Sequence, residues 1–154
     1  MGYRKITIIG ESNLCRSFMA AAILRGILKK KNISDIEVIS RGLVVLFSEP
    51  VSQRAVNVLR KYDYEVEESR SSPLTEEDLL SSDLALTMTD EQAEKVRKEY
   101  GTETTCMSVG TFIDMEGNVP GIHSENAEDF EASLHGLESL MEAVAERIIG
   151  ELIP

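Results

Sequence analysis

The sequence predicts a three-layer α/β sandwich built on a parallel sheet. Short β-branched or alternating segments at 5–9, 36–40, 83–88 and 105–109 take turns with segments of helical apolar spacing. Strands separated by helices pair in parallel through right-handed crossovers, and the helices then cover both faces of the sheet. A length of 154 residues with 42% apolar residues suits one domain, spanning 1–154.

Each element has its own signal. Lys5 to Ile9 is a β-branched run that ends at a glycine, and a helix from Ser17 to Lys31 follows, with Met19, Ile23 and Ile27 four apart. Ser17 can cap its start, and Lys29, Lys30 and Lys31 complement the dipole at its end. After a second strand at Ile36 to Ser40 comes a loop whose apolar stretch, Leu43 to Phe47, reads equally well as surface or core. Pro50 opens a helix from Val51 to about Tyr62, with Ala55, Val58 and Leu59 inward. A short helix over Leu74 to Leu80 has Thr75 as cap and Asp78 three residues on. A buried strand at Asp83 to Met88 leads to a helix capped by Thr89 or Asp90 and ended by Gly101. Thr105 to Val109 is the fourth strand. A long loop, Gly110 to Asn126, precedes the clearest element, a helix striped by Phe130, Leu134, Leu137, Met141, Val144 and Ile148 and closed by Gly150.

Charge narrows the function. A net charge of -11 repels nucleic acid and anionic membranes at long range, so neither is an expected partner. A single phosphate can still be held by backbone amides and one Arg on an acidic protein. No apolar run approaches a membrane span or a secretory leader, and Ile6 spoils a myristoylation signal, so a cytoplasmic protein is expected. Cys15 and Cys106 form neither a disulfide framework nor a metal-ligand spacing; both read as reduced thiols, with no metal or cofactor implied.

Ligands of such sheets sit at the carboxyl ends of the strands. There Gly10-Glu11-Ser12-Asn13-Leu14-Cys15-Arg16-Ser17 runs into a helix N-terminus, which offers unpaired amides and partial positive charge, with Arg16 as a planar double donor. These residues alone leave open an oxyanion cradle or an Arg that packs at a helix start. The spacing also matches a Walker loop, but Cys15 and Arg16 replace its glycine and lysine, which argues against a nucleotidase. The late loop leaves the fourth strand at the same sheet edge, so the two loops can meet.

The run Ser12-Asn13-Leu14-Cys15-Arg16-Ser17-Phe18-Met19-Ala20 resembles the low-molecular-weight protein tyrosine phosphatases, whose strand-end loop reads C-x-G-N-x-C-R-S-P-M-A. Ser40-Arg41-Gly42-Leu43, Glu49-Pro50 through Arg54-Ala55, Leu74 to Leu79 and Asp83 to Met88 resemble further motifs of that family, so the likeness runs from about Lys5 to Ile149. It implies a four-stranded parallel sheet with a phosphate cradle formed by Gly10, Glu11, Ser12, Asn13, Leu14, Cys15, Arg16 and Ser17, the Asn bracing it from behind.

The resemblance also implies a cysteine nucleophile at the first loop position, where this chain has Gly10. It implies an aspartic general acid where Asn118-Val119-Pro120-Gly121-Ile122-His123 places Gly121, and Ile122 stands for its proline. Phe18 replaces the proline after the loop. General acid catalysis alone typically contributes ~10² to 10⁴-fold, so joint loss with the nucleophile leaves little activity by the family route. Candidate substitutes are Cys15, which would approach phosphorus from the side, Ser17, which has no evident base, and His123, near the lost acid. His135 reads as a surface or packing residue, and Asp114, Glu116 and Asp129 are given no role. Phe47 or Phe112 could stack on an aromatic ligand, and both read equally well as core residues.

The expectation is therefore a catalytically impaired member that binds phosphate or a phosphorylated protein or small molecule; the alternative is a tyrosine or arginine phosphatase with a non-standard nucleophile such as Cys15. On an intact scaffold, Gly10→Cys with Gly121→Asp should restore activity.

Overall fold

The N-terminal run forms strand β1 (Lys5–Gly10) in a computed structural model that describes residues 2–101, 105–121 and 126–152. The remaining strands are β2 (Glu37–Gly42), β3 (Leu84–Thr87) and β4 (Cys106–Ser108). All pairings are parallel and the order is β2-β1-β3-β4, so β1 is an inner strand with Gly10 opposite Gly42. Alternation along β1 divides the core: Ile6 and Ile8 pack on one face, Ile9 on the other.

The helices are α1 (Arg16–Lys30), α2 (Gln53–Lys61), α3 (Glu76–Ser81), α4 (Asp90–Tyr100), α5 (Val109–Phe112) and α6 (Ala127–Leu152). The larger core cluster takes in α1, α2 and α6, and the smaller takes Leu79, Ala93 and Val96 from α3 and α4, which gives the expected three layers. Every residue of the predicted α6 stripe is buried. Capping boxes form at Thr75 with Asp78 and at Thr89 with Gln92, which fixes where α3 and α4 begin.

Four details differ from the sequence reading. Cys15, not Ser17, is the N-cap of α1, because Ser17 turns inward. Pro50 does not open α2; it pairs in a bridge with Arg70, and Ser52 caps the helix by accepting from the Ala55 amide. Gly150 does not close α6, which continues to Leu152, since a glycine on an open helix face lowers propensity without breaking the hydrogen-bond ladder. The late loop begins with the short α5, capped by the Ser108 hydroxyl. Among the described residues no helix is long and apolar enough to cross a membrane.

Candidate functional site

β1 stops at Gly10 and α1 starts at Arg16, so the connecting loop lies at the carboxyl edge of the sheet. Its turn rests on Asn13, 2% exposed and in the left-handed region at φ 62°. Asn is among the few non-glycine residues that tolerate this conformation. Both of its amide protons and one lone pair of its oxygen are committed. Nδ2 donates to Ser40 Oγ at 2.8 Å and to Ser17 Oγ at 3.2 Å, and Oδ1 accepts from the Ser72 amide at 2.9 Å.

The segment after β2 holds the loop from outside. Leu43 and Val44 amides donate to the Gly10 and Glu11 carbonyls at 2.9 and 2.8 Å, and the Ser52 amide donates to Leu14 at 3.0 Å. Gly42 permits this approach, because a Cβ there would lie 3.0 Å from the Glu11 carbonyl oxygen. The apolar stretch of sequence thereby becomes a rim. Leu46 and Phe47 are 85% and 81% exposed beside it, and Val44 is partly exposed.

Gly10 is not a vacant position. A Cβ on it would lie 2.8 Å from Ser17 Oγ and 2.9 Å from Ser17 Cβ, closer than real Cβ atoms approach such neighbours. The Ser17 side chain, 1% exposed, occupies that space. Arg16 reaches across to the late loop, where Nη1 donates to the Val119 carbonyl at 2.9 Å. That loop is fixed in turn by the Val119 amide on the Met88 carbonyl and by the Asp90 amide on Asn118 Oδ1, both at 2.9 Å. The two loops do meet, with half-buried Gly121 two residues beyond the contact.

The remaining candidates separate clearly. Cys15 is half-buried and packs against the larger core cluster. His123 and Ile122 lie outside the described residues. Phe112 cannot wall a cleft: it is 2% exposed, edge-on to Tyr3 and beneath the Arg147 guanidinium at 4.8 Å. His135 lies against Tyr62 on α6 and bonds Glu138, as a packing residue would. Sequence reasoning missed Ser72, which reaches the loop only through tertiary contact; Ser40 and Val119 were visible only as parts of motifs.

Burial pushes the Cys106 thiol from about 9 up to about 11, against a smaller downward pull from Arg97. A folded state that holds a proton more tightly is stabilised below the unfolded pKa and loses that contribution as pH rises through the folded one. Stability should therefore fall by up to about 2 kcal/mol between pH 9 and 11. Denaturant titrations of wild type and Cys106→Val check this, and equal slopes across that window would refute it.

Comparison with known proteins agrees with this architecture. The family model for low molecular weight phosphotyrosine protein phosphatase matches residues 5–152, and the chain belongs to that family. It is 27% identical over 146 residues to the probable low molecular weight protein-tyrosine-phosphatase EpsP of Ralstonia nicotianae, covering 94% of this chain and 96% of that one. It is also 27% identical over 141 residues to a protein-arginine-phosphatase of Bacillus subtilis, covering 86% and 93%. Among solved structures, a low molecular weight protein tyrosine phosphatase from T. tengcongensis superposes with a TM-score of 0.85 at 26% identity, over 92% of this chain and 97% of the other.

Proposed function

We propose that this family member binds phosphate, free or carried on a protein side chain or small molecule, in the loop from Gly10 to Ser17, without the family's two-step hydrolysis. We place it in the cytoplasm, where Cys15 and Cys106 stay reduced. The observation that carries the reading is Gly10 at the end of β1, where the family's motif has its nucleophile, with Ser17 packed over it. Gly121 supports it from the late loop, at the place of the general acid.

The binding half is intact in its chemistry. A helix N-terminus supplies amides and partial positive charge, Asn13 fixes the turn, and Arg16 stands at the mouth with Nε and Nη2 beyond its contact to Val119. Absence of a thiolate removes one negative charge from beneath a bound dianion. Neither substitute nucleophile is well placed: Ser17 is sealed from solvent and Cys15 packs with the core.

Wild type should show saturable binding of inorganic phosphate and no hydrolysis of p-nitrophenyl phosphate above a mock purification. Sustained turnover that vanishes in Cys15→Ser or Ser17→Ala would favour an altered-route phosphatase instead.

A further inference from the structure

Behind Asn13 the hydrogen bonds continue through β2 to its outer side. Ser40 Oγ accepts from Asn13 and donates its only proton to Glu68 Oε2 in a short bond. Glu68 Oε1 accepts from Arg25 Nη1 at 2.9 Å, and the same nitrogen donates to the Val38 carbonyl of β2 at 2.8 Å. The chain of contacts thus runs from the loop to a guanidinium on α1 and is registered to the sheet at Val38. Arg25, Glu67 and Glu68 then border a groove of about 1040 Å³ between α1, β2 and the segment after α2.

Stability is a poor explanation for this pair. Arg25 Nη2 is sealed from solvent with no hydrogen-bond partner, and Nε lies 2.7 Å from Glu67 Oε2 but out of line for a hydrogen bond. Burying a guanidinium so incompletely satisfied costs desolvation that the ion pair offsets only in part. What the pair does accomplish is orientation. With Glu68 accepting its proton, the Ser40 hydroxyl must present a lone pair to Asn13; without Glu68 the hydroxyl rotates and can turn its proton toward Asn13, which weakens one of the bonds that hold the left-handed turn.

We propose that Arg25 and Glu68 are positioning residues for the phosphate cradle, holding Asn13 in place through Ser40 from the far side of β2. The proposal rests on the cradle reading above, and its test separates the two. Inorganic phosphate is titrated into wild type, Glu68→Ala, Glu68→Gln and Ser40→Ala while the side-chain amide resonances of Asn13 are followed by NMR.

Glu68→Ala and Ser40→Ala should shift those resonances and weaken phosphate binding about tenfold, the scale of one lost hydrogen bond. Glu68→Gln keeps an acceptor for Ser40 and should return affinity to within about threefold of wild type. A purely structural role would lower the melting temperature and leave the Asn13 resonances and the affinity in place. That result in folded Ser40→Ala or Glu68→Ala overturns the proposal. Should wild type bind no phosphate, the cradle reading fails, and the relay then stands or falls on whether the Asn13 resonances move.

Discussion

Arg16→Ala should reduce affinity for inorganic phosphate by about 10- to 100-fold, read by calorimetry at fixed ionic strength. The estimate follows from the ~1.5–3 kcal/mol that one hydrogen bond to a charged group contributes, the two donors of the fork sharing a single charge. Arg16→Lys should recover part of the loss, because charge returns without the planar pair of donors. The same substitution acts on the late loop. Removing Arg16 leaves the Val119 carbonyl without the donor it has at 2.9 Å. Faster hydrogen exchange in the segment leading to Gly121 should therefore accompany weaker binding. Undiminished phosphate affinity in folded Arg16→Ala would reduce the loop to a structural relic.

Gly10→Cys should destabilise the protein and fail to revive it, even when Gly121→Asp is added. From the sequence alone that pair looks like a restoration. The packing says otherwise, because the new Cβ would meet both Oγ and Cβ of Ser17 below 3.0 Å. Rotating the hydroxyl relieves only the first contact. The second involves an atom fixed to the α1 backbone, and the residues that follow it, Phe18 to Ala21, are fully buried. Overpacking of this kind typically costs 1 to 3 kcal/mol, roughly 2–4 °C of melting temperature per kcal/mol at this chain length. Ser17→Gly removes both clashing atoms, so the combination Gly10→Cys with Ser17→Gly should be more stable than the sum of the single changes predicts. A Gly10→Cys protein that melts with wild type, or that hydrolyses p-nitrophenyl phosphate once Gly121→Asp is present, would show that the space is still open.

Ser17 marks where reading the sequence runs out. A serine at the start of a helix is a cap by every local rule. Instead it is buried against Gly10 and bonded by Asn13, contacts that lie seven and four residues away and act through space. The elements with strong local signals were legible: the β-branched run of β1, the α6 stripe, Thr75 with Asp78 three residues on, and Thr89 as a cap. The position of the loop was legible too, since a strand that ends in glycine runs directly into a helix with Arg in its first turn. The segment from Tyr62 to Pro73 has no periodic pattern, yet it supplies the Ser72 amide that bonds Asn13 and the Glu68 carboxylate that bonds Ser40. Phe112 could be read either as a cleft wall or as core, and only the packing of Arg147 and Tyr3 over it decides for core.

The exposed side chains of Val44, Leu46 and Phe47 have a thermodynamic consequence. Contacts within the cradle are polar and charged, so capture of a bare phosphate ion would change the heat capacity little. A ligand whose body also covered the rim would bury apolar surface, and its binding enthalpy would grow more negative on warming. The temperature coefficient of the binding heat thus distinguishes a protein built to hold the ion from one built to hold what the ion is attached to.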